Sequence, residues 1–197
     1  YTINLAQGVY IIEDPNLDIR IMKDHARVAC RYQTKEDICA FYNYELTMKM
    51  NQEVELHTIF DSSIQNHDFK VYLQPKVHLA DHKLCGAEAL VRWNSSEFGM
   101  VSPAEFIPIA EKHGIMEMLG GWILREACNQ CKLWNTELSP DLLVSINFTI
   151  NQVSGPLFMD GIFQVISESK VDPANIILEI SHGGSIADVE TVSKKLM

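Results

Sequence analysis

The sequence predicts an α/β protein built around a mostly parallel sheet, and three observations carry that expectation. From residue 83 onward, strand-like runs alternate with helix-like runs, the pattern of parallel sheets with crossover helices. Just before, two strand-like runs, "FKVYLQPKVHL" and "LCGAEALVRW", are separated only by the turn "ADHK", which reads as a hairpin. The otherwise apolar strands each place an oxygen-bearing side chain toward the C-terminal end, Gln74, Glu88, Asn147 and Glu179.

The elements follow in order. "TINLAQGVYII" reads as a strand with Gly8 as a bulge, "EDPNLD" as a turn, and "LDIRIMKDHARVAC" as a helix. Residues 44–66 are mostly polar with a sparse apolar stripe and read as a connecting helix. The strand 69–79 and the strand 84–93 form the hairpin. "SPAEFIPIAEKHG" then opens a helix: Ser102 is the N-cap, Pro103 takes the first helical position, Glu105 completes an S-x-x-E capping box, and Gly114 closes it. A second helix covers about 116–135. The strand "LLVSINF" at 142–148 is followed by a helix at about 156–169, the turn "VDPAN", the strand "IILEIS" at 176–181, and a final helix opened by Ser185 and Asp188.

Composition narrows the class. The chain has 197 residues, is 47% apolar, and carries 16 Lys and Arg against 26 Asp and Glu, a net charge of −10. That balance argues against a broad phosphate-tracking surface for DNA or RNA. It leaves room for a small phosphorylated ligand held by one or two Arg residues or by metal ions. No apolar run approaches the roughly 20 residues of a membrane-spanning helix, and no secretory leader is visible. The first residue is Tyr, so a piece of a longer chain is expected. Five cysteines at irregular spacing suggest reduced thiols and a cytoplasmic protein. Cys128 and Cys131 form a C-x-x-C inside the helical run "GWILREACNQCKLW"; with no second Cys/His pair at zinc spacing, they read as packed helix cysteines.

Strand faces sharpen the chemistry. Side chains alternate along a strand, so Glu88, Leu90 and Arg92 share one face, and Ala87, Ala89, Val91 and Trp93 share the other. In a barrel of parallel strands the site lies at the C-terminal ends of the strands. Two carboxylates and a carboxamide converging there make an oxygen-only set suited to Mg²⁺ or Mn²⁺, with Ca²⁺ also admitted. Arg92 is placed to hold a phosphate oxygen. The bland alternative for Glu88 and Arg92 is an internal ion pair or a solvated edge, and for Asn147 a turn or cap residue.

"QPK" at 74–76, "GAEALVRW" at 86–93, "SPAEFIPIAE" at 102–111, "SINFT" at 145–149 and "LEIS" at 178–181 resemble, in order, the motifs of the EAL domain family. The resemblance covers residues 56–197, and Glu88-Ala89-Leu90 is the tripeptide that names the family. It implies a modified TIM barrel whose first strand is antiparallel, and metal-dependent hydrolysis of the bacterial second messenger cyclic di-GMP to linear pGpG. It implies Mg²⁺ or Mn²⁺ held by Glu88, Asn147 and Glu179, with Gln74, Leu90 and Arg92 against the substrate. Cyclic di-GMP is then the expected partner. A homodimer through the EAL domain is a further expectation, and DNA and RNA are not partners. Residues 1–43 resemble the C-terminal end of a GGDEF (diguanylate cyclase-type) domain. The expected organisation is thus 1–43 GGDEF-like remnant, 44–66 connecting helix and 67–197 EAL.

Two departures qualify this. The family's Asp-Asp-Phe-Gly segment, its Lys and its late Glu and Gln would follow Met197, so only about the N-terminal half of a barrel of about 250 residues is expected, and the fragment alone is expected to be inactive. His182 stands where similar proteins carry Glu; a neutral His supplies no carboxylate and His⁺ repels metals. The alternative function is a catalytically degenerate EAL domain that serves as a cyclic di-GMP receptor or protein-interaction module.

Overall fold

Residues 5–34 and 38–181 are described by the computed structural model of the chain, which divides into two units, Tyr1–Ile59 and Phe60–Met197. His182 and the helix expected from Ser185 lie outside the described residues.

In the first unit, β1 (Gly8–Val9), α1 (Ile19–Arg31) and β2 (Ala40–Phe41) form a small β-α-β arrangement. The two strands pair in parallel, Gly8 with Ala40 and Val9 with Phe41. The Asp18 side chain accepts a hydrogen bond from the Arg20 backbone N–H at 2.8 Å and starts α1. Helix α1 buries Met22 and Ala29, and its His25 ring stacks on Tyr42 at 4.0 Å. Among the described residues of the strand expected over 2–12, Gly8 and Val9 pair with a neighbouring strand, and the rest of that described run, without a partner strand, is not β. Gly8 is paired rather than bulged. It is needed for close packing: a Cβ there would lie 1.9 Å from the Ala26 carbonyl oxygen. Residues 44–66, read from the sequence as a connecting helix, are helical over α2 (Tyr44–Gln65).

The second unit holds β3 (Phe69–Val77), β4 (Leu84–Ser95), β5 (Gly99–Val101), α3 (Pro103–Lys112), α4 (Met116–Glu137), β6 (Leu143–Thr149), α5 (Ile150–Ser154), α6 (Phe158–Ser169), a 3₁₀ turn at Pro173–Asn175, and β7 (Ile176–Ser181). The sheet order is β3-β4-β6-β7, with β5 added to β4. Strand β3 is antiparallel to β4, whereas β4, β6 and β7 run parallel. The α/β class and the antiparallel first strand therefore hold.

Alternation explains the layers. Ala87, Ala89 and Trp93 of β4 and Val144, Ile146 and Phe148 of β6 are buried on the face that meets the helices. Trp93 is completely buried and rings with Phe60, Phe69 and Phe106, centroids 5.0, 4.9 and 5.8 Å away. The capping box of α3 is formed: Ser102 Oγ accepts from Ala104 N–H at 3.3 Å, and Glu105 Oε2 accepts from Ser102 N–H at 3.0 Å. Gly114 follows α3 with φ of +72°, a conformation glycine adopts without strain. Cys128 and Cys131 are buried thiols on α4. Burial pushes Cys128 up to about 11, and Cys131 Sγ lies 3.8 Å from the Leu142 carbonyl and 3.7 Å from that of Asn175. These are packed helix cysteines. No helix among the described residues is long and apolar enough to cross a membrane.

Gly86 sets the spacing of the central strands. A Cβ there would sit 2.1 Å from the Leu143 carbonyl oxygen, a backbone atom. Gly86→Ala must push β4 and β6 apart where they pair, and is expected to destabilise the intact protein by about 1–3 kcal/mol. The urea midpoint reads this directly; an unchanged midpoint would mean that the two strands part at no cost.

Candidate active site

The ladder places the polar residues in rows on the sheet face opposite the helices. Gln74 pairs with Glu88, and Glu88 with Ser145; directly paired residues point to the same face. One step toward the C-terminal ends of the parallel strands, Asn147 pairs with Glu179. One step toward their N-terminal ends, Lys76 pairs with Gly86, and Gly86 with Leu143.

Within this patch Asn147 Nδ2 donates to Glu88 Oε1 at 2.6 Å, across β4 and β6. An amide that donates through Nδ2 keeps Oδ1 as an acceptor for another group. Glu179 is held differently. Lys76 Nζ donates to Glu179 Oε1 at 2.5 Å and to Ser145 Oγ at 2.7 Å. The Lys76 hydrogen bond, then that of Ser145, hold the Glu179 carboxyl below the usual carboxylate range against the opposing effect of burial. Lys76 and Glu179 belong to the outer strands of the sheet, with β4 and β6 between them. Strand spacings are about 4.8 Å, so side chains standing off a flat sheet would not meet across three of them. The pair meets because the sheet curls with this face inside.

Arg92 does not pair with Glu88. Its Nη1 donates to the Val91 carbonyl at 2.8 Å, which removes the ion-pair reading of that strand. A cavity of about 270 Å³ is lined by Leu90, Arg92, Pro103, Met116, Asn147 and Thr149, among others. It therefore gathers Leu90 and Arg92 beside Asn147. Gln74 sits beside Glu88 in the ladder and is exposed, outside that cavity. Its expected place at the C-terminal end of a strand needs correction: β3 is antiparallel, so Gln74 stands level with the middle of β4.

The residue that the sequence reading missed is Lys76. A lone Lys in an alternating strand reads as a solvated side chain, and only the pairing register places it opposite Gly86. A missed helix, α5, had a visible signal. Thr149 and Gln152 form a second capping box, with Gln152 N–H donating to Thr149 Oγ1 at 3.4 Å and Thr149 N–H to Gln152 Oε1 at 2.9 Å.

The donors Glu88, Asn147 and Glu179 offer oxygen only, which fits a hard divalent cation in kind. They supply three of the roughly six oxygens that such an ion takes. Among the described residues, no group of three or more His, Cys, Asp or Glu is placed to hold a metal, so the set depends on the Asn147 carbonyl as its third oxygen.

An α/β sheet led by an antiparallel strand, with oxygen donors on the face away from the helices and an Arg92-lined cavity between the sheet and helices α3 and α4, is the layout of a barrel-type domain, a fold that carries its sites at the strand ends. The chain belongs to the EAL domain family, whose model matches residues 58–197. It is 27% identical over 175 residues to the bifunctional diguanylate cyclase/cyclic di-GMP phosphodiesterase MucR of Pseudomonas aeruginosa, covering 88% of this chain and 25% of that protein. It is 31% identical over 159 residues to the cyclic di-GMP phosphodiesterase PA2567 of the same bacterium, covering 80% of this chain and 27% of that protein. The chain thus spans about a quarter of the length of these curated relatives. Among solved structures, the MucR phosphodiesterase in complex with c-di-GMP matches with a TM-score of 0.66 and 27% identity, over 70% of this chain and 56% of that one.

Proposed function

We propose that this chain carries the first metal ligands and the substrate-contact strand of a cyclic di-GMP phosphodiesterase. One observation carries the reading: Glu88 and Asn147 touch at 2.6 Å across β4 and β6, with Glu179 opposite Asn147 on β7. Three strands thus bring three oxygen groups to one patch. When bound there, Mg²⁺ or Mn²⁺ would supply Lewis acidity, activating water and neutralising charge on the phosphodiester. Glu88, Asn147 and Glu179 would hold it. Arg92, whose guanidinium now donates to a backbone carbonyl, would turn to a phosphate oxygen, for which its planar fork is suited. Leu90 would offer an apolar surface to the nucleotide, and Gln74 a hydrogen-bonding amide. The MucR complex with c-di-GMP supports the choice of ligand.

The β-α-β arrangement of residues 8–41 supports reading residues 1–43 as the end of a GGDEF-type domain. Five free thiols support a reducing, cytoplasmic setting.

The second reading, a receptor without turnover, draws on a specific observation: Glu179 is already engaged by an ammonium. Incubating the intact protein with cyclic di-GMP and Mn²⁺ or Mg²⁺ separates the two. Appearance of linear pGpG is the expected result; binding by calorimetry with no product would replace the enzyme with the receptor.

A further inference from the structure

We propose that Lys76 is a tethered cation that competes with the divalent metal for Glu179 and so sets how tightly the site takes its metal. The inference rests on the reading of Glu179 as a metal ligand.

The geometry is built rather than incidental. Lys76 starts in the row nearest the N-terminal ends of the parallel strands, opposite Gly86. Gly86 has no side chain, so the path across β4 is open. The lysine climbs over it to Ser145 Oγ in the next row and to Glu179 Oε1 in the row above. Ser145 is buried, and its hydroxyl gives the ammonium a fixed second anchor. A solvated strand lysine would leave its tip in water. This one holds two oxygens from two other strands, with 40% of its side chain exposed.

The charges then decide the consequence. Without metal, the ammonium is the counter-ion of Glu179. A divalent ion that takes the same carboxylate meets a positive charge within a few ångströms of its own position, and like charges at such separations repel. The ammonium can withdraw to Ser145 alone, still charged. Metal uptake is therefore an exchange in which the Lys76–Glu179 pair is lost as the Glu179–metal contact forms.

Mn²⁺ alone is the probe, titrated into the intact protein without nucleotide and followed by calorimetry and by the electron paramagnetic resonance of free Mn²⁺. Lys76→Met is expected to tighten Mn²⁺ binding about tenfold or more, while Lys76→Arg, which keeps the charge, stays near wild type. If circular dichroism shows that Lys76→Met does not fold, Lys76→Gln takes its place with the same expectation. Unchanged or weaker binding by the folded neutral variant, with wild type binding normally, would overturn the competition and leave the metal-ligand reading standing. Binding by the neutral variant alone would support the competition in its strongest form. No binding by any of them would overturn the metal-ligand reading, and this inference with it.

Discussion

Glu88→Ala in the intact protein is expected to cut cyclic di-GMP turnover about a thousandfold while leaving the fold in place. The side chain projects from the inner face of β4, where its partner is Asn147 Nδ2, so its loss creates no hole in the helix-facing core. It does remove a carboxylate from the donor set and leaves the Asn147 amide without its acceptor. Losing one principal electrostatic contact to a reacting group typically costs 10²–10³ in rate, roughly 2.7–4 kcal/mol. The loss of a charged group from the proposed metal site belongs at the upper end. Glu88→Gln separates the two contributions, because it retains shape and an oxygen acceptor for Asn147 but not the negative charge. Turnover is measured at saturating Mn²⁺, with circular dichroism as the control for folding. Alanine turnover within a few-fold of wild type would remove Glu88 from the metal site.

Much of the fold was legible in the residues. Alternation of apolar and polar side chains marked β4, β6 and β7, and the Ser102-x-x-Glu105 box marked the start of α3. Both signals are local, and burial on one face enforces them. What escaped was short or depended on pairing. Strand β5 is three residues long and has no alternation to read; it exists because Met100 and Val101 meet Asn94 and Trp93. Strand β2, two residues, is the same case. The site was legible in its residue types and less so in its contacts. Glu88, Asn147 and Glu179 could be picked as oxygen donors from their strands. No local pattern could have shown that Asn147 bonds Glu88, that Arg92 turns to the Val91 carbonyl, or that Glu179 is claimed by Lys76. The first and last of those contacts follow from strand register and sheet curl, which are properties of the assembled sheet.

The largest expected effect on stability is at Trp93. It is fully buried, and three aromatic rings lie within 6 Å of its centroid. Trp93→Ala removes the side chain that joins β4 to Phe60, Phe69 and Phe106, and the surrounding backbone of a paired strand cannot collapse to fill the space. The expected cost is about 3–5 kcal/mol, seen as a large fall in the unfolding midpoint of this unit in urea followed by circular dichroism. Trp93→Phe is expected to cost less than about 1.5 kcal/mol. Phenylalanine keeps a ring in the cluster, and it drops the indole Nε1, a buried donor with no hydrogen-bond partner among the described residues. Equal losses in the two variants would show that the cluster needs the full size of the indole and not merely an aromatic ring.

The reach of Lys76 also bears on the order in which the chain assembles. Its contact with Glu179 joins residues 103 positions apart, and closing so wide a loop gains nothing until the strands between are paired, since the entropy of closure comes first and the contact follows. The hairpin of β3 and β4 can form early and locally, whereas the patch that contains Glu179 is completed only when β7 docks. A nascent or partly refolded chain would therefore present its EAL tripeptide on a finished hairpin well before the proposed metal patch is complete, and metal binding at that patch would report the arrival of β7 rather than the formation of the hairpin.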